Sequence, residues 1–462
     1  MMLDKDKTRR VGRRSLIQWS LAAGAALGLP QWKVLEALEV GAGKAVAQEA
    51  ACRVSNRSVH IVAGGGGFAW FQLLWPHVDI AEARNENFAW HAIGEDRRVA
   101  GTDKPLVIGP ESPWSSLSSD RQVSCFMAGT NQTHTRRPAS TTNLAMGSNL
   151  FAACAAIQTG DASVVPHVAI GNVQYGVAEG APRTARVESA GGMVGLFNSA
   201  ASRAGGLLDN RSNQALFASR YNTWMSLRAA SGRAAFRSGV GVGAASARLI
   251  GENLADALRP TEADRRRYGF GADSYDRVRD LGDGLIVAAK SFALGLTNSV
   301  VLPAMYDDPH GAFNNMGRLR TITTHLGAML QAFYDDLAMT QEPDCVGESM
   351  ADNLVISIHG DTPKNPRDRS GWPDGTPSNS NWVYVYSSGM LKSGWFGGVD
   401  RAGNVAGWDP GTGEDVPGRS SCSTSSAAAA AIAYSVCKGD LRRLQDFYRG
   451  ESIRGVVASD TV

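Results

Sequence analysis

Leu354-Val355-Ile356-Ser357-Ile358-His359, running straight into Gly360-Asp361-Thr362-Pro363, reads as a short buried strand that ends by presenting an imidazole and a carboxylate. About fifty residues earlier, Asp308-Pro309-His310-Gly311 follows another strand-like run, Ser299 to Ala304. Between them Met316 to Leu337 predicts a long helix with Leu319, Ile322, Leu326, Met329, Leu330, Phe333 and Leu337 on one face. Side chains at the exits of such strands converge above one edge of an α/β sheet, where hydrolytic metal sites are built. Residues two apart in extended or turn geometry can point the same way, so Asp308 with His310, and His359 with Asp361, are the candidate metal ligands.

Working outward, Val59 to Ala63 stops at Gly64-Gly65-Gly66-Gly67 like a first strand and its turn. Val123 to Ala128 is strand-like too; a polar loop, Asn131 to Thr142, then leads to a helix expected from Gly147 to about Gln158 and a strand at Val164 to Ile170. That order implies a right-handed parallel crossover. Residues 176–295 are rich in Ala, Ser, Arg and Gly and read as a helical insert or cap, in which Arg265-Arg266-Arg267 is expected to be a solvated helix face. Trp382 to Tyr386 predicts another strand, Gly397 to Gly418 a surface loop, and Ala427 to Val436 a late helix packed on the sheet. The expectation is one α/β domain over 48–462, with a mostly parallel central sheet and helices on both faces.

Lys plus Arg (46) nearly balances Asp plus Glu (44), and 43% of residues are apolar, so neither disorder nor a nucleic-acid partner is expected. The Gly64–Gly67 run lacks the Lys-Ser/Thr ending of a nucleotide-phosphate loop, and no Gly-x-Ser-x-Gly elbow follows a strand. At the amino end, Arg9, Arg10, Arg13 and Arg14 precede Ser15-Leu16-Ile17-Gln18 and an apolar run from Trp19 to Leu29, the order of a twin-arginine export signal. Ala45-Val46-Ala47 offers the small-x-small cleavage pattern, so the mature chain is expected to start near Gln48, in the periplasm or outside the cell. The apolar run is too short for a stable span, and no later window approaches one, so the mature form is expected to lack a membrane span. Six cysteines in an exported chain permit disulfides; Cys125 and Cys154 lie in apolar segments as buried hydrophobes, and the one bridge expected is Cys422 with Cys437.

Asp308-Pro309-His310-Gly311, the strand closing on Gly360-Asp361-Thr362-Pro363-Lys364, then Trp372-Pro373 and Gly397-Gly398 together resemble the domain of unknown function 1501 family. The resemblance is best over Asp307 to Gly398 and weaker over Val123 to Ile170. It implies an alkaline phosphatase-like three-layer sandwich, as in the alkaline phosphatase and sulfatase superfamily, with one or two divalent metals at the carboxyl edge of the sheet. It makes Asp308 and His310 the first ligand pair and His359 the counterpart of the imidazole in that superfamily's Ser-Asp-His-Gly motif. Asp361 stands where the family carries Arg. The implied cation is zinc, calcium or manganese, and the implied substrate is a phosphate or sulfate ester of a small molecule or glycan.

The superfamily places its nucleophile in the loop after the Val123 strand, at a helix amino end. Here that loop offers His134, Thr135 and Arg136 as catalytic candidates, beside the hydroxyls of Thr133, Ser140, Thr141 and Thr142 and the guanidinium of Arg137. The other reading of these hydroxyls is helix capping, with solvated arginines. Besides Asp361, three places depart from the family pattern: Ile358 and the Gly64–Gly67 run replace acidic residues, and Gly371 replaces a histidine before Trp372-Pro373. They leave open a second class of function, a non-catalytic envelope binding or assembly protein on the same scaffold.

Overall fold

The computed structural model describes residues 55–62, 74–75, 107–108, 123–128, 142–144, 148–159, 163–173, 175–197, 249, 253–305, 316–343, 345, 347–360, 382–399 and 405–458. All of them belong to one compact unit. Its centre is an eight-stranded sheet built from β1 (Arg57–Val62), β4 (Val123–Met127), β5 (Val168–Ile170), β6 (Ala185–Val187), β7 (Ser299–Pro303), β8 (Leu354–His359), β9 (Trp382–Tyr386) and β10 (Gly394–Phe396). Two shorter strands, β2 (Leu74–Trp75) and β3 (Val107–Ile108), pair separately. The strand order is β10-β4-β9-β8-β1-β7-β5-β6, and β9 alone runs against the other seven. A mostly parallel sheet must be covered on both faces, because its strands are joined by crossovers that bring helices to each side.

The strands show how this is met. Val59, Ile61, Val300, Leu302, Ile356 and Ile358 share one cluster with the helices α4 (Asp276–Ala293) and α5 (Met316–Ala338), named in chain order after α1 (Leu150–Gln158), α2 (Ala190–Leu196) and α3 (Glu262–Arg267). The alternate residues Val62, Val301, Val355, Val383 and Val385 join a second cluster with α1 and α6 (Ser425–Val436). Period-two alternation therefore sends successive side chains into two different cores. Along α5, Leu326, Met329, Leu330, Phe333 and Leu337 are fully buried at helical spacing, as the sequence predicts. In α6 the run Ala427 to Ala431 is also buried, and its small side chains let this helix lie close against α1.

Several elements differ from expectation. The α1 helix begins at Leu150 rather than Gly147, because Asn149 caps it by accepting from the Phe151 N–H at 2.9 Å. The strand expected at Val164 is confined to Val168–Ile170. Of the stretch 176–295, the described residues include β6, which extends the main sheet, and α4, which packs on β7. Within 397–418, expected as a surface loop, the described residues include β11 (Gly398–Val399), β12 (Val405–Trp408) and β13 (Asp415–Val416), which form an antiparallel sheet. Its anchor is Trp408, fully buried against Phe126 with its indole N–H donating to the Met127 carbonyl at 3.1 Å. Arg266 and Arg267 of α3 are exposed, as expected of a solvated face, while Arg265 is half-buried against Asp283 on α4 and Arg267 also reaches Asp336 on α5.

The expected Cys422–Cys437 bridge does not form. Cys437 is a free thiol, hydrogen-bonded to the carbonyls of Tyr434 and Asp440, and burial pushes its pKa up to about 12. Cys125 and Cys154 are free and buried, as expected of small hydrophobes. Cys345 is disulfide-bonded. Among the described residues no helix is long and apolar enough to cross a membrane.

Candidate functional site at the carboxyl edge of the sheet

The register fixes which strand ends share an edge. Val62 at the end of β1 pairs with Pro303 at the end of β7 and with His359 at the end of β8. Across β9, Met127 at the end of β4 pairs with Trp382, while His359 pairs with Val383 one residue on. Four strands thus release their chains at one edge, and Trp382 enters β9 from it. With neighbouring strands ~4.8 Å apart, the ends of β7 and β8 lie about 10 Å from each other, as do those of β8 and β4.

The candidates leave from these ends. Asp308 and His310 follow β7, Asp361 is two residues past β8, and His134, Thr135 and Arg136 follow β4; all six lie outside the described residues. His359 is described, and it sits where expected, as the last residue of β8. Of the loop hydroxyls, Thr142 is described: it is buried and accepts from the Asn149 side-chain amide at 3.2 Å, so it supports the cap of α1. Among the described residues no three His, Cys, Asp or Glu side chains gather as a metal site.

The helix α1 runs opposite to the strands. At its far end Gln158 donates to the carbonyls of Asn56 and Asn298, which precede β1 and β7. At its near end Phe151, in the first turn, meets the His359 ring edge-on at 5.0 Å between centroids. The amino end of α1, with its outward N–H groups and positive dipole end, therefore stands beside His359 at the carboxyl edge. Behind the edge, Gly360 donates its N–H to the Trp382 carbonyl at 3.0 Å. A Cβ at 360 would lie 2.2 Å from the Trp382 indole nitrogen, so this crossing is open only to glycine.

His359 is fully buried, and desolvation holds its imidazole down at about 3, so it is neutral and able to offer a lone pair. Its Nε2 is 2.9 Å from the Ser357 hydroxyl, which is 2.7 Å from Nδ1 of His60 on β1. Phe151 covers His60 as well, at 4.9 Å. Deeper on the same face, His167 Nδ1 lies 2.9 Å from Ser299 Oγ, and Ser58 Oγ donates to Gln158 at 3.2 Å. Burial lowers both further histidines: His60 well below its ordinary value, aided by neighbouring His359 and His167, and His167 to about 4.

From the sequence Ser357 has no role of its own and His60 reads as a structural strand histidine, although a signal for their pairing exists. In Arg57-Ser58-Val59-His60-Ile61-Val62 and in Leu354 to His359, the polar residues fall on alternate positions, which normally marks a strand with one wet face. In a central strand covered on both sides the same alternation marks a buried hydrogen-bonded layer. The departure at Ile358 has a structural counterpart: the residue is fully buried on the opposite face, in the core with α4 and α5. The chain matches no protein-family model, no curated protein and no solved structure, so the family resemblance rests on the quoted motifs alone.

Proposed function

We propose that this chain is an exported protein of alkaline phosphatase-like architecture that uses the carboxyl edge of its sheet to hydrolyse phosphate or sulfate esters with a divalent metal, zinc, calcium or manganese. One observation carries the reading: the segments bearing Asp308 and His310, Asp361, and His134 to Arg136 all leave strands that end at the edge holding His359 and the amino end of α1. A bound divalent metal would polarise the ester oxygen and lower the pKa of a hydroxyl or water. His359 fits a ligand role because it is buried, neutral and hydrogen-bonded through Nε2, as metal-binding histidines characteristically are through their second nitrogen; Nδ1 would then meet the cation. Asp308, His310 and Asp361 complete the proposed ligand set. The dipole of α1 favours an anionic group beside it, where His134 and Arg136 steady the transferred phosphate or sulfate and Thr135 offers a hydroxyl. The disulfide at Cys345 supports export, since such bonds persist in oxidising compartments.

The test is turnover of nitrophenyl phosphate and nitrophenyl sulfate by the mature chain, with and without added zinc, manganese or calcium, beside His310→Ala. Metal-dependent turnover lost in the variant upholds the reading; turnover that ignores His310 rejects it. Burial of Ile358 in the opposite core favours the second reading, a non-catalytic binding or assembly protein, because it removes one expected acidic ligand. Absence of both turnover and bound metal would select it.

A further inference from the structure

The Ser357 hydroxyl stands between two imidazole nitrogens and carries a single proton. It can donate to one of them; the other must then be an N–H that donates to Oγ. If Ser357 donates to His359 Nε2, His359 carries its proton on Nδ1, and His60 must donate from Nδ1. If Ser357 donates to His60 Nδ1, His60 is protonated on Nε2, and His359 must donate from Nε2. A third arrangement, with both rings donating to the two lone pairs of Oγ, would leave the buried hydroxyl proton with no acceptor among the described contacts; the two that give that proton an acceptor keep both rings neutral, and in each the two rings are the same tautomer. All three side chains are fully buried on the face covered by α1, and Phe151 packs on both rings.

We propose that Ser357 and His60 are positioning residues for His359, joined so that the tautomer of His359 at the sheet edge dictates that of His60 inside the sheet. A cation meeting His359 at Nδ1 would need that nitrogen unprotonated: its proton leaves to solvent, the Ser357 proton passes to His359 Nε2, the His60 Nδ1 proton passes to Ser357, and His60 takes up one proton from solvent at Nε2. Occupancy of the edge is thereby written into a buried histidine that no ligand touches. The His60 Nε2 atom is buried with no hydrogen-bond partner among the described residues, so no contact there locks one state, although a proton placed on it is left unpaired. The cation part of this inference rests on the proposed function; the tautomer link rests on the contacts alone.

The experiment is 15N NMR of the full-length chain labelled at histidine, near pH 7, with zinc ion as the probe. In the wild type His60 and His359 are expected to show one common tautomer, and opposite tautomers overturn the proposal. Zinc is expected to shift both rings to the Nε2–H form together. In Ser357→Ala zinc should still move His359 but leave His60 unchanged, with zinc affinity about 10- to 100-fold weaker; a His60 that still follows zinc refutes the link. Should zinc move neither ring in the wild type, the metal-dependent reading loses its cation, while the tautomer comparison still decides the inference. If Ser357→Ala does not fold, the wild-type spectrum alone decides: matching tautomers uphold the link and opposite ones reject it.

Discussion

Acidification from pH 7 to pH 5 should destabilise this protein steeply through three buried histidines. His60, His167 and His359 are neutral when folded, with values at about 4 for His167, about 3 for His359 and well below the ordinary one for His60. Because folding lowers these values, the stability tied to them is complete above the unfolded value near 6.5 and is lost as pH falls toward the folded value. A histidine moving from 6.5 to about 4 loses about 2 kcal/mol between pH 7 and pH 5, so His167 and His359 together lose about 4 kcal/mol, a large part of the stability of many domains, and His60 adds to the loss in the same direction. Asp280, raised chiefly by its own desolvation, works in the opposite sense at the acid end, so a variant isolates the effect better than the total. His167→Gln should shrink the pH 7 to pH 5 loss by about 2 kcal/mol, read from urea unfolding followed by tryptophan fluorescence at several pH values. Any fixed cost of the substitution cancels in that difference. Identical pH dependence in wild type and His167→Gln would refute the reasoning, since it would mean that His167 takes up its proton while folded.

Gly360→Ala should cost about 1–3 kcal/mol, because a Cβ there meets the Trp382 indole nitrogen at 2.2 Å; an unchanged thermal midpoint would show that the crossing has room. Glu342→Ala should cost about 3–5 kcal/mol in chemical denaturation, since it strands Arg57, whose guanidinium is buried and paired with that carboxylate; a loss under 1 kcal/mol would show that water reaches the pair. Unfolded without reductant and alkylated, the chain should carry label at Cys125, Cys154 and Cys437 and none at Cys345 in peptide mapping; Cys437 found in a bridge would contradict the structure.

Most of the layered fold was legible in the sequence because its signals are local. The apolar runs at Val123, Ser299, Leu354 and Trp382 are strands too short and too apolar for anything else, and the α5 face from Leu326 to Leu337 repeats at helical spacing. The small sheet over 398–416 was hidden because its glycines resemble a loop, while its anchor, Trp408, binds Met127 from far along the chain. Similarly, the Cys345 bond outweighs the sequence proximity that suggested Cys422 with Cys437, since spacing says nothing about which thiols face each other. At the site, the placement of His359 at a strand end could be read from its flanking residues. Ser357 and His60 could not, because their partnership depends on β1 lying next to β8, a pairing between strands nearly three hundred residues apart.

Metal analysis of the mature protein, purified without chelator, tests the central proposal most directly. It predicts a divalent metal retained by the wild type and lost from Asp308→Ala and His310→Ala. Protein that is folded yet carries no divalent metal, and takes up none from zinc, manganese or calcium, would contradict it.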